Sequence, residues 1–404
     1  MADKTITQAA TPIGRKRTSL PPWLLALLPL VLLVGVLTLI FRTDAGLGDR
    51  TTPPIETLNF ERMELPEPGM IEVSIVNDGP DPITIAQVLV DEAYWQFTIS
   101  PEQTIDRLDS ATVSIPYPWV EGEAHAIALI SATGVVFETE VPVAVESPRA
   151  DRESVLRFAL VGFYVGIVPV TLGLLWYPFL RHLNRQAMNF ILALTIGLLV
   201  FLVVDTFEAA QEVALSVAGA LDAPLLVPIL ALLTMAILIV VGQSLRKRQS
   251  GNNLTLSYQI AFSIGLHNLG EGLAIGSAFA LGEAALGVFL IIGFTLHNVT
   301  EGIGIAAPLV RERPRLVHFA GLGLLAGSPA IIGTWIGAFV YSPFWTTIFL
   351  AIGVGAILQV IVEVGRLIGR DQQRHSEPLL TWTTLGGVAT GIAVMYATAL
   401  LVTA

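Results

Sequence analysis

Residues 262–310 read FSIGLHNLGEGLAIGSAFALGEAALGVFLIIGFTLHNVTEGIGIAAPLV, and this stretch decides the architecture of the chain. It is two apolar segments back to back, each with a polar cassette near its middle: His267-Asn268-Leu269-Gly270-Glu271-Gly272 and His297-Asn298-Val299-Thr300-Glu301-Gly302. On a helix, residue i+4 lies one turn above residue i, so His267 shares a face with Glu271 and His297 with Glu301. Each segment is long enough to span a bilayer, which puts both cassettes near the midplane. Ionisable groups are costly there and mark function by default. A hydrogen bond to a neighbouring helix would account for one such His or Glu, but not for the same pattern repeated in consecutive helices. Only a short turn at Gly282-Glu283 joins the two segments, so they run in opposite directions. Their four metal-ligand side chains can then converge in a pseudo-symmetric site.

The rest of the composition agrees with a membrane setting. Of the 404 residues, 53% are hydrophobic, too many for an ordinary soluble chain of this length. There is no cysteine, so disulfides and thiolate ligands are excluded and any metal must be held by His, carboxylate or amide groups. The net charge of −11 is unevenly spread: 21 of the 33 acidic residues fall between Asp44 and Glu153, and the remainder is nearly balanced. Nothing points to nucleic acid.

Upstream, residues 1–22 form a polar tail with the basic cluster Arg15-Lys16-Arg17, and the apolar run 23–41 is long enough to span. It reads as an uncleaved anchor whose basic flank stays in the cytoplasm, sending the segment after it outside. Residues 43–153 change character. Alternating runs such as Ile71–Val76, Ile83–Val88, Thr112–Ile115, Ala124–Leu129 and Val135–Val141, separated by turn clusters like Asn77-Asp78-Gly79-Pro80, predict a β-sandwich of six or seven strands. This acidic, extracytoplasmic domain carries one histidine, His125, and no clustered ligand motif. Its charge reads as a solvated surface.

From 154 to 404 the sequence predicts an all-α polytopic core of eight spans: 155–180, 188–219, 224–245, 255–281, 284–310, 316–341, 345–369 and 380–402. Arg181 and Arg185, Arg246-Lys247-Arg248, Arg311, Arg313 and Arg315, and Arg366, Arg370 and Arg374 occupy every second loop, while the loops near 220, 282 and 343 have no Lys or Arg. This alternation places the C-terminus outside and the protein in the cytoplasmic membrane as a multi-pass chain. Pro169-x-x-x-Gly173 followed by Asp205 matches Pro329-x-x-x-Gly333 followed by Glu363. The copies start in the first and sixth spans, and an odd offset of five spans makes them antiparallel, so the core reads as a 3+2+3 inverted repeat.

The paired cassettes resemble the fourth and fifth helices of the ZIP (Zrt/Irt-like) family of divalent metal transporters, in its bacterial GufA-like branch. The resemblance covers residues 154–402 and leaves the first 150 outside. It implies transport, not enzyme chemistry, by alternating access, with zinc as the transported ion and iron, manganese or cadmium also accepted by a His/carboxylate site. No resident cofactor is implied; the partners are divalent metal ions and the lipid bilayer, with a homodimer open. By position the resemblance makes His267, Glu271, His297 and Glu301 the primary ligands, with Asn268 and Asn298 beside them. It puts Asp205, Glu208 and Glu212 on the outer approach and Gln359 and Glu363 on the inner one. Many relatives hold a second metal with carboxylates where this chain has Asn298 and Ser328, so one tightly bound metal is expected here. His182, His318 and His375 fall at cytoplasmic boundaries. Two other classes stay open: an intramembrane zinc-dependent hydrolase, although no HExxH occurs, and a sensor whose outer domain binds a ligand.

Overall fold

The alternating runs between residues 58 and 141 fold as two antiparallel sheets. The computed structural model describes residues 22–43, 54–248, 253–282, 284–378 and 380–403. The strands are β1 (Leu58–Glu67), β2 (Met70–Asn77), β3 (Ile83–Val90), β4 (Ala93–Trp95), β5 (Thr98–Ser100), β6 (Thr104–Ile105), β7 (Ser110–Ile115), β8 (His125–Ser131) and β9 (Val136–Val141). One sheet has the order β1-β2-β7-β5; the other has the order β4-β3-β8-β9, with β6 paired to β3. Every second residue faces inward, so Ile71, Val73 and Ile75 of β2 join Ile83, Ile85, Ile127 and Leu129 in one core. At the β3–β4 turn Asp91 and Glu92 both take positive φ. The Asp91 carboxylate compensates by accepting from Ala126 N–H at 2.9 Å, Tyr117 Oη at 2.7 Å and His125 Nδ1 at 2.8 Å. Burial works against the charged form of Asp91, but these bonds outweigh it and hold the carboxyl below its ordinary range. The same bond pushes the Tyr117 phenol up to about 12.

Asp151 caps the first helix of the helical region, accepting from Ser154 N–H at 2.7 Å. This span runs as α2 (Arg152–Gly162), a π-helical turn at Phe163–Ile167, α3 (Val168–Leu175) and α4 (Tyr177–Leu180). The remaining helices are α5 (Arg185–Leu215), α6 (Ala223–Arg248), α7 (Asn253–Ala280), α8 (Ala284–Ala306), α9 (Leu316–Gly327), α10 (Pro329–Phe339), α11 (Pro343–Arg374) and α12 (Trp382–Thr403). Pro169 follows the π-helical turn in the first span, and Pro329 follows the break between α9 and α10. The missing N–H and the ring of proline interrupt the ladder at both places.

Six helical segments among the described residues are long and apolar enough to cross a membrane: 152–180, 185–215, 223–245, 284–310, 316–339 and 343–374. The expected eight are thus corrected to six. Helix α7 has the length, at 28 residues, but Ser257, Gln259, Ser263, His267, Asn268 and Glu271 dilute its apolar character. It tolerates them because most of it is buried against protein. Helix α12 is likewise not among the six.

Two close crossings position the cassettes. A Cβ added to Gly173 of α3 would lie 2.7 Å from Gly302 Cα on α8, and one added to Gly333 of α10 would lie 2.8 Å from Leu273 N on α7. Only glycine lets these backbones approach so closely. The β region contacts the ends of the helices. Asn59 Nδ2 donates to Ser216 O at 2.6 Å, Gly219 N–H donates to Asp78 Oδ2 at 2.7 Å, and Gly282 lies against Val143 O. These are the loops without Lys or Arg. At the other end Arg185 pairs with Asp371 at 3.4 Å and with Glu377.

Helix α1 (Pro22–Thr43), in the region expected to anchor the chain, belongs to a unit separate from the one that holds the β region and the other helices. The expected tail, except for Pro22, lies outside the described residues.

Candidate metal centre

His267 and Glu271 stand one turn apart on α7, and His297 on α8 reaches the same point across the helix pair. His267 Nε2 lies 3.0 Å and His297 Nε2 2.5 Å from Glu271 Oε1, and all three side chains are buried. Ligand atoms of these three residues fall within 4.8 Å of one another, a group that could hold a metal ion. Two imidazoles and one carboxylate are the donor set of a borderline divalent cation such as zinc. Gly353 on α11 leaves room for His267, its added Cβ lying 3.6 Å from Nδ1. Phe294 and His297 pack edge to face, with ring centroids 5.5 Å apart.

The fourth expected ligand stands apart. Glu301 is buried, neighbours Asn268 and lies within electrostatic reach of Glu271, but it is not part of the three-residue group. Neither Glu301 carboxylate oxygen has a hydrogen-bond partner among the described residues, and the same holds for His267 Nδ1, Asn268 Oδ1 and Asn298 Oδ1. So many buried acceptors without donors are expensive unless a cation or water satisfies them, which fits a cation-binding centre.

The amide nitrogens of the two cassettes serve the backbone. Asn268 Nδ2 donates to Ala326 O at 3.0 Å, and Asn298 Nδ2 donates to Val165 O at 3.0 Å and to Glu271 Oε2 at 2.9 Å. Both carbonyls border the proline breaks. Gly272 and Gly302 of the same cassettes supply the close crossings.

A cavity of about 440 Å3 leads to the centre. Asp205, Glu212, Ser216 and Tyr341 line it together with His267 and Glu271. Asp205, Glu208 and Glu212 also line a neighbouring cavity of about 300 Å3 that reaches His297. The three acids of the expected outer approach are exposed on α5. Gln359 and Glu363 of the expected inner approach are buried on α11. Gln359 accepts from Ser263 Oγ at 2.7 Å, and Glu363 pairs with Arg366 at 2.8 Å. Sequence reasoning gave Ser263 no role and read Arg366 only as a loop charge; the spacing of three between Glu363 and Arg366 is the helix-neighbour signal that could have pointed to the ion pair. The boundary histidines are not near the centre. His318 meets Tyr258 at 3.1 Å, while His182 and His375 bond to carbonyls of their own helices.

Fold and site together define a multi-pass helical membrane protein with a buried candidate metal centre of two histidines and a carboxylate. No protein-family model matches the chain, and no curated protein matches it.

Proposed function

We propose that the protein transports divalent transition-metal cations across the membrane, zinc first among them, through the His267/Glu271/His297 centre. The observation that carries this reading is the acid-lined cavity that joins Asp205 and Glu212 to His267 and Glu271. Carboxylates on a low-dielectric wall concentrate cations, and imidazoles beyond them select borderline metals from hard ones. The resemblance of the paired cassettes to ZIP transporters supports the same reading. So do the two equivalent glycine crossings, which an inverted repeat around the α7–α8 pair would explain. In this arrangement the β region and the C-terminus lie outside the cell and the N-terminus inside, following the arginine-bearing loops.

The test is flux into proteoliposomes loaded with a metal-sensitive dye, run against a panel of divalent ions. Saturable zinc entry is the expected outcome. Zinc-dependent turnover of a peptide or ester without flux would make the protein an enzyme, and binding without either would make it a sensor.

A further inference from the structure

From the contacts of Asn298 we infer that it is a positioning residue: its amide ties the metal-binding carboxylate of Glu271 to the proline-broken first span. This inference rests on the metal-binding reading of the same centre.

Pro169 has no N–H, so the carbonyl four residues earlier, that of Val165, loses its ordinary helical donor. Asn298 Nδ2 supplies one across the helix interface at 3.0 Å. The same nitrogen donates to Glu271 Oε2 at 2.9 Å. An amide nitrogen has two hydrogens, and each has an acceptor here. Glu271 is thereby held by both oxygens: Oε2 by Asn298, and Oε1 against His267 and His297. The carboxylate is left to offer a cation one oxygen, Oε1, from the side the imidazoles share. Asn298 is itself fully buried, so its donors have no water to turn to. The equivalent amide, Asn268, spans to Ala326 O beside the Pro329 break. Satisfying the carbonyl freed by the first-span break and orienting the ligand are thus done by one side chain.

A ligand and a positioning residue respond oppositely to a carboxylate. As a ligand, Asn298→Asp should hold zinc at least as tightly as the native chain. As a positioning residue it should fail, because a carboxylate has no hydrogen to give and would face Val165 O and Glu271 Oε2.

The experiment uses the purified full chain and zinc competed against a chelating dye. We expect Asn298→Ala to weaken zinc by about ten- to a hundredfold, the usual effect of removing the partner of a metal ligand, and Asn298→Asp to weaken it at least as much. The infrared splitting between the two carboxylate stretches of zinc-loaded protein should narrow in Asn298→Ala, as Glu271 becomes free to bind through both oxygens. A metal-free cycle tests the tie to the helix break. Asn298→Ala should lower Tm less in a Pro169→Ala background, where position 169 can donate to Val165 itself. Zinc affinity unchanged or raised in Asn298→Asp would overturn the inference, as would additive Tm changes. If Pro169→Ala does not fold, the two Asn298 variants decide between ligand and positioning residue. A native chain that binds no zinc would instead defeat the metal-binding reading, and the metal-free cycle would still judge the tie.

Discussion

The two cassettes have the same key residues but different surroundings. In the first, Glu271 is gathered with His267, His297 and Asn298. In the second, Glu301 is equally buried and has no hydrogen-bond partner among the described residues. Both glycines do the same work, since Gly272 and Gly302 each admit a neighbouring backbone. Scaffolding is therefore symmetric while ligation is not. A pseudo-symmetric sequence supplies two candidate carboxylates, and the packing of α7 against α8 selects one to sit between the histidines.

The largest effect expected is on metal binding. Flux should fall with both glutamate substitutions, because each removes negative charge from the low-dielectric surroundings of a divalent ion. Equilibrium binding separates them. Glu271→Gln should abolish saturable zinc binding, whereas Glu301→Gln should retain an affinity at least about tenfold higher than that of Glu271→Gln, a gap of about 1.4 kcal/mol. Equal losses would restore the symmetry of the cassettes and break the comparison.

Next in size is the shared scaffold. Gly272→Ala places a methyl group 2.9 Å from Thr334 N, and Gly302→Ala places one 2.8 Å from Gly173 Cα. Each should cost about 1–3 kcal/mol as overpacking, read as matching drops in Tm. A silent change at either glycine would show that only one crossing is tight.

Stoichiometry sharpens the same contrast. One zinc per chain is expected by mass spectrometry, since Asn298 and Ser328 bring no carboxylate to a second site. Two well-occupied ions would mean that Glu301 and the unpartnered amide oxygens form a site of their own.

The smallest effect lies away from both cassettes, in the β region. Asp91 is held below its ordinary carboxylate range in the folded chain, so its stabilising contribution is present above the unfolded value and is lost as pH falls through the folded one. The Tm difference between the native chain and Asp91→Asn should shrink in acid while zinc affinity at neutral pH stays the same. A shifted affinity would link the β region to the centre.

Much of this was legible in the sequence because it is periodic. Spacing of four put His267 with Glu271 on one face, and period-two alternation found β2, β3, β7, β8 and β9. Strand β1 was missed because Glu61, Glu64, Pro66 and Glu67 obscure its alternation, and β4–β6 because two or three residues hold no pattern. Pro169 and Pro329 were legible as matching positions of a repeat, but not as the helix breaks they make, nor which side chains would satisfy the carbonyls left behind. That depends on contacts across helices, as does the separation of Glu301 from the three-residue group. The span count was over-read: 255–281 and 380–402 look like spans in the sequence, but α7 and α12 are not among the six helical segments long and apolar enough to cross, and the polar residues that dilute α7 are mostly buried against protein.

The most direct test of the central claim is zinc flux into dye-loaded proteoliposomes by the native chain and by Glu271→Ala, at matched protein incorporation. The account predicts saturable zinc entry for the native chain and background entry for Glu271→Ala. Equal flux through both proteins, or none through a native chain that binds zinc, would contradict it.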